Sequence, residues 1–226
     1  MSLSPQKPIS AYVFDAYGTL FDVHAAVRRH ASGMGPEALR LSVIWREKQL
    51  EYSWTRALMD RYVDFWSLTE QALDTAFSIV GMENPELRRK LLDAYWKLDC
   101  YPEVPTVLKR LKDEGHRLAI LSNGSPQMLE AAARAAGIED LLDEVFSTDI
   151  LRTYKTRQDV YELVTNQFRI YPETVSFQSS NRWDIAGASA FGFRTVWVNR
   201  TGAADEYADL PPAAVLTDLN GLLALG

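Results

Sequence analysis

The rhythm of hydrophobic and polar positions changes twice along the chain. Ile9-Ser-Ala-Tyr-Val-Phe14 is a short, β-favouring apolar run that ends at Asp15, and such a run reads as a buried strand. Gly18 breaks it, as a tight turn at a strand end requires. Over residues 24–98 apolar side chains recur at helical spacing, as in Leu41, Ile44, Trp45, Leu50, Trp54 and Leu58. Gly33, Gly35 and Pro36 punctuate one boundary there, and Gly81 to Pro85 another. Strand-like alternation is absent from this stretch, which holds Trp45, Trp54, Trp66 and Trp96. It predicts a module of about four helices inserted after the first strand.

From residue 101 onward strand and helix patterns alternate. Helices are predicted over 104–114, 126–136, 157–168 and 185–191, with strands over 117–121, 144–146, 174–177 and 194–198. The tail adds a short strand over 214–216 and a helix over 219–225. This alternation marks an α/β fold: a three-layer, Rossmann-like parallel sheet with helices on both faces. The predicted division is a core of residues 1–20 and 99–226 and a helical insertion of residues 21–98. In such sheets ligands bind beyond the carboxyl ends of the strands, at the topological switch point. The polar residues predicted at strand ends are Asp15 and Thr19, Ser122 and Asn123, Lys155, and Ser179, Ser180, Asn181 and Asp184. Each alone reads as a cap or turn residue, Asp184 as the N-cap of the helix over 185–191 and Ser122-Asn123-Gly124 as a turn with glycine at positive φ. Together they come from four strand ends and can converge on one site.

Composition narrows the classes. The 226 residues suit one domain, or one domain with a large insertion, and can build a core without staples. A single cysteine, Cys100, rules out an intrachain disulfide and speaks against a cysteine zinc site. His24, His30 and His116 lack metal-site spacing. A net charge of −6 and the lack of a basic stripe argue against nucleic acid or an anionic membrane as partner. The opening MSLSPQKPIS has no apolar signal core, and no apolar run approaches the roughly 18 residues of a membrane span. A reduced, cytoplasmic setting is the default expectation.

Taken in order, the strand-end residues resemble a known family. Phe14-Asp15-Ala16-Tyr17-Gly18-Thr19-Leu20-Phe21-Asp22 resembles the nucleophile loop of the haloacid dehalogenase superfamily. Leu121-Ser122-Asn123-Gly124 resembles its second motif, Lys155 its third, and Ser179-Ser180-Asn181-Arg182-Trp183-Asp184 its fourth. The helical insertion lies where that superfamily carries its cap domain, and the likeness covers almost the whole chain. Each motif alone is weak; the four in order are specific.

Most of the superfamily are phosphatases, so the branch is a chemical question. A departing alkoxide needs a proton, which those phosphatases take from a second Asp two residues after the nucleophile; here that residue is Tyr17. A phosphoryl group also needs Mg2+ held by several carboxylates, whereas the fourth motif offers Asp184 beside neutral Ser179, Ser180 and Asn181. A halide leaves as a stable anion without a proton and needs donors in a desolvated pocket. The resemblance is therefore to the L-2-haloacid dehalogenases, the metal-independent branch without cofactor. Trp45-Arg46-Glu47-Lys48-Gln49-Leu50-Glu51-Tyr52 looks like that branch's cap segment carrying the halide-binding arginine.

The resemblance implies that Asp15 attacks C2 of a short 2-haloalkanoate and that water then hydrolyses the aspartyl ester, with one inversion, giving a D-2-hydroxy acid from an L-2-halo acid. Thr19 would orient Asp15, Lys155 would keep it ionised, and Arg46 would receive the halide unless Glu47 or Glu51 pairs with it. Ser122 and Asn123 would bind the substrate carboxylate or the halide. Ser179, Asn181 and Asp184 would position water and Lys155. Tyr161 would join this network or pack on the sheet. Tyr17, Leu50, Phe65 and Trp183 would wall the alkyl group, although aromatic and leucine side chains at helical spacing are more often plain core. The branch usually has proline after the lysine; here Thr156 and Arg157 follow, which leaves the start of the next helix open. Homodimers through the cap are also common in the family. Two alternatives stay open: a Mg2+-dependent phosphatase of the same superfamily, and a non-catalytic binding protein that retains the fold.

Overall fold

In the computed structural model, residues 7–30, 32 and 34–225 are described; Gly33, one of the expected boundary residues, lies outside them. Six parallel strands form one sheet in the order β3-β2-β1-β4-β5-β6: β1 Ala11–Phe14, β2 Arg117–Ser122, β3 Glu144–Ser147, β4 Val175–Ser179, β5 Arg194–Val198 and β6 Ala214–Leu216. Strand order reverses between β1 and β4, so the crevice at that switch opens beside Asp15.

Period-two alternation sorts the strands between two layers. Tyr12, Phe14, Leu118 and Ile120 face one side, packed under α5 (Val104–Asp113) and α6 (Pro126–Ala135) through Val107, Leu108, Met128 and Leu129. Ala11, Val13, Ala119 and Leu121 face the other, under α7 (Gln158–Phe168) and α8 (Arg182–Phe191) through Val160, Val164, Ile185 and Ala188. The three-layer expectation holds.

Between β1 and α5 lie α1 Ala25–Arg29, α2 Glu37–Leu58, α3 Phe65–Val80 and α4 Pro85–Tyr95. The punctuation expected at 81–85 is the α3–α4 junction: Gly81 closes α3 at φ +68°, and the Asn84 side chain caps α4 with Pro85 in its first turn. The apolar stripe expected along α2 is only half right. Leu41 and Trp45 are buried, but Trp54 is 37% and Leu58 85% exposed. Ser42, Gln49 and Ser53 make much of the remaining buried face polar, and Gln49 Nε2 donates to Thr69 Oγ1 of α3 at 2.9 Å. Trp45 is the main anchor of that face: its indole N–H donates to the Thr69 carbonyl at 2.9 Å, and its ring packs on Tyr95.

Element ends differ from expectation in ways that matter for the site. Ser122 and Ser179 lie inside β2 and β4, because parallel pairing with Ser147 and Trp197 carries those strands past their apolar residues. The fourth-strand helix begins at Arg182, not 185, so Asp184 sits within its first turn and is not an N-cap. The helix after Lys155 begins at Gln158 with Arg157 as its N-cap residue. The tail helix is a 3-10 turn over Leu219–Ala224. Among the described residues no helix is long and apolar enough to cross a membrane.

Removing the Trp45 side chain deletes a buried aromatic and its hydrogen bond across α2 and α3. Trp45→Ala should cost about 3–5 kcal/mol, read as a lower urea midpoint. A cost below about 1 kcal/mol would show that this helix pair is held elsewhere.

Candidate active site

The chain between β1 and the first inserted helix folds back on itself at once. The Ala16 carbonyl accepts from the backbone N–H groups of Thr19, Leu20 and Phe21 at 3.2, 2.9 and 3.0 Å. Gly18, at φ +96°, allows this turn. The turn places the Thr19 hydroxyl against the preceding carboxylate: Thr19 Oγ1 donates to Asp15 Oδ2 at 2.8 Å and accepts from Ser180 N–H at 2.8 Å. One hydroxyl thus ties the end of β1 to the end of β4.

Both Asp15 oxygens are held. Oδ2 also accepts from Asn181 Nδ2 at 2.9 Å, and Oδ1 accepts from Lys155 Nζ at 3.0 Å. Lys155 Nζ donates as well to Asp184 Oδ2 at 2.7 Å. Asp184 Oδ1 accepts from the Tyr161 hydroxyl at 2.9 Å. Asn123 Oδ1 accepts from the Lys155 backbone N–H at 2.9 Å, so the end of β2 fixes the segment carrying the lysine. Ser179 Oγ accepts from Asn181 N–H at 3.1 Å, which sets the turn into α8.

Lys155 and Asp184 are fully buried. Burial works against the Lys155 charge, but the Asp15 and Asp184 carboxylates outweigh it and hold the pKa above the ordinary lysine value. Burial pushes the Asp184 carboxyl up to about 6, against the pull of Lys155 and of the Tyr161 hydroxyl. Burial, reinforced by Asp184, raises Tyr161 well above its usual range, so it is a neutral donor.

From α2, Arg46 reaches into the same place. Its Nη2 donates to the Tyr17 carbonyl at 3.1 Å and contacts Asn181 Oδ1 at 3.4 Å. Neither Glu47 nor Glu51 pairs with it; Glu51 takes Lys48 at 2.6 Å. Among the described residues this half-buried guanidinium has neutral partners only. Beside it, Tyr17 lies buried, with its ring 5.9 Å from Phe65 and stacked on Tyr95 at 5.6 Å.

Other expected residues are less closely joined. Ser122 Oγ is taken by the Gly124 N–H at 3.1 Å. Leu50 lies half-buried one turn beyond Arg46 on α2. Trp183 meets Trp54 edge to face at 5.4 Å and, with Lys155, lines a groove of about 610 Å3 that Asp15 does not line. Gly124 corrects the turn expectation: it is not among the positive-φ glycines, and a Cβ there would stand 2.7 Å from the Tyr17 ring. Close approach is its reason. Tyr95, Gly124 and Arg200, whose Nη2 donates to the Thr19 carbonyl at 3.0 Å, were not among the expected site residues. Helical aromatic spacing could have suggested Tyr95; nothing local in the sequence points to Arg200.

The cluster can do nucleophilic chemistry: a carboxylate with both oxygens oriented, an ammonium beside it and a second carboxylate behind. A divalent cation fits it poorly. The Lys155 ammonium already stands between the two carboxylates. Among the described residues no group of three or more His, Cys, Asp or Glu side chains is gathered to hold a metal ion.

Comparison with known proteins agrees with this geometry. The family model of the haloacid dehalogenase-like hydrolases matches residues 9–192. The chain is 48% identical over 216 residues, 95% of each chain, to (S)-2-haloacid dehalogenase 1 of Pseudomonas sp. strain CBS-3. It superposes with a TM-score of 0.95 on the crystal structure of a dehalogenase, at 44% identity, covering 96% of this chain and 97% of that one. With a TM-score of 0.85 and 35% identity, it also matches the L-2-haloacid dehalogenase of Xanthobacter autotrophicus with chloropropionic acid covalently bound, over 96% of this chain and 98% of that one. The sheet order, the four strand-end motifs and these likenesses lead to one conclusion: the chain belongs to the haloacid dehalogenase-like hydrolases.

Proposed function

We propose that this protein is an (S)-2-haloacid dehalogenase that hydrolyses short-chain L-2-haloalkanoates to D-2-hydroxyalkanoates through an ester on Asp15. The observation that carries this reading is the pairing of a triply held carboxylate with an arginine that meets only neutral partners among the described residues. Asp15 is bound by Lys155, Thr19 and Asn181, and among the described residues Arg46 nearby has neutral partners only.

In the first step an Asp15 carboxylate oxygen attacks C2 from the side opposite the halogen. The C–O bond forms as the carbon–halogen bond breaks, and the halide leaves with the electron pair. Arg46 receives it. Thr19, Lys155 and Asn181 fix the attacking group before the substrate arrives. The substrate carboxylate is held by the free amide of Asn123, by Ser122 and by nearby backbone N–H groups. Tyr17, Leu50 and Phe65 enclose the alkyl group, and Trp183 borders the neighbouring groove that Lys155 also lines.

In the second step water attacks the carbonyl carbon of the Asp15 ester, not C2. Asp184, as an anion oriented by Lys155, Tyr161 and the Ser179–Asn181 turn, accepts the water proton and returns it to the departing alcohol oxygen as the ester C–O bond breaks. The alcohol oxygen of the product is the one Asp15 contributed, so C2 is inverted once. The balance is one haloalkanoate and one water in, and one hydroxyalkanoate, one halide and one proton out.

The helical stretch 21–98 acts as a cap on a core of 1–20 and 99–226. The two connections cross side by side, with Asp22 N–H donating to the Asp99 carbonyl and Tyr101 N–H to that of Leu20. The exposed Leu39 and Val43 on α2 support a homodimer formed through the cap. The protein works in the cytoplasm on a small molecule.

Purified protein should release halide from L-2-chloropropionate in excess chelator, and Asp15→Asn should release none. Single turnovers in heavy-oxygen water should place label in the Asp15 peptide; product formed without that label would refute the ester. The pH dependence has a definite sign. Burial, with the Asp15 charge adding to it, raises Asp184 to about 6 in the free enzyme; the ester removes the Asp15 charge, so ester hydrolysis should slow as pH falls below that value. Tyr161 donates to the anion and thereby lowers that pKa. Tyr161→Phe should therefore move the acid limb of single-turnover hydrolysis to higher pH; an unmoved limb would remove Asp184 from the proton-accepting role.

A further inference from the structure

We infer that Arg200, on the loop after β5, is a positioning residue that sets the nucleophile loop from behind and ties it to the crossing of the cap connections. Its part in catalysis rests on the dehalogenase reading; its hold on the loop does not.

Three contacts converge on its guanidinium. Nη2 donates to the Thr19 carbonyl at 3.0 Å and pairs with Glu103 Oε1 at 2.7 Å. The guanidinium carbon lies 3.7 Å from the centroid of the Tyr101 ring, within cation–π range. The Arg200 and Glu103 side chains are only 14% and 10% exposed, so water screens their pairing little. Nothing in the reaction uses Arg200, and no Asp15 oxygen is bonded to it.

Its partners explain the role. Thr19 supplies, through Oγ1, one of the two donors that hold Asp15 Oδ2. The Thr19 amide and hydroxyl are engaged inside the site, with Ala16 and with Asp15 and Ser180, so its carbonyl is the handle that remains. Tyr101 and Glu103 stand where the chain re-enters the core, and Tyr101 N–H donates to the Leu20 carbonyl. Arg200 therefore joins the outgoing chain at Thr19 to the returning chain at 101–103. A guanidinium can serve a carbonyl, a carboxylate and a ring face at once; a lysine ammonium has no planar fork to do so.

The test is Arg200→Ala, Arg200→Lys and Glu103→Gln, each read for amide hydrogen exchange of the peptide spanning residues 15–21 and for steady-state kinetics on L-2-chloropropionate. Arg200→Ala should speed exchange in that peptide and lower kcat about ten- to a hundredfold, the scale of a small misplacement of a reacting group. KM should stay within about threefold, since Arg200 does not meet the substrate. Arg200→Lys should recover part of kcat, and Glu103→Gln, which keeps the Thr19 bond, should lose less than Arg200→Ala. If Arg200→Ala does not fold, the other two variants carry the same comparison. Unchanged exchange overturns the proposal, as does unchanged kcat per folded molecule, or a rise in KM alone. A wild-type chain that releases no halide from any L-2-haloalkanoate refutes the dehalogenase reading instead, and exchange then decides alone whether Arg200 holds the loop.

Discussion

An ammonium buried between two carboxylates sets the terms for everything around it. Lys155 is 1% exposed, and taking such a charge out of water costs several kcal/mol unless close anions offset it. Asp15 and Asp184 do so at 3.0 and 2.7 Å. Neither carboxylate can move far without stranding the ammonium, so the ends of β1 and β4 and the segment after β3 must stay in register. The Asn123 contact to the Lys155 backbone brings the end of β2 into the same constraint. A parallel sheet with its reversal between β1 and β4 is the scaffold that satisfies it.

The same triad explains how two chemical steps share one carboxylate. Asp15 is oriented by donors on both oxygens, while Asp184, deeper and without exposure, keeps a raised pKa and a hydroxyl donor from Tyr161. Two like groups are driven apart in character by their surroundings alone. Tyr17, where a phosphatase of this superfamily would carry an acid, is buried among Phe65 and Tyr95, and Gly124 leaves room for its ring.

Much of this architecture was legible because it is written in side-chain polarity. The alternation of strand and helix patterns after residue 101 gave the layers, and Gly81 to Pro85 gave a helix junction. Legibility failed where backbone pairing or polar burial decides. Ser122 and Ser179 continue their strands because their neighbours' backbones do, whatever their own polarity. α8 starts early because the Asn181 carbonyl accepts from the Asp184 and Ile185 N–H groups, while the Arg182 guanidinium is engaged by Asp205 and by the carbonyls of Tyr207 and Leu210. Gln49 and Ser53 turn part of the α2 stripe polar, which hydrophobic periodicity cannot register. The motif residues were found by order and resemblance, whereas Arg200 acts on a backbone carbonyl 181 positions away and leaves no local mark.

The two Arg46 contacts run from the inserted helices to the core, at Tyr17 and at Asn181. An anion that draws on this guanidinium competes with a strut between the two layers of the enzyme. A halide bound there, as proposed, and the docking of these helices would be thermodynamically linked, each changing the other's equilibrium by the same factor. Under the proposed reaction, ambient chloride would then bear on how firmly the inserted helices sit on the core.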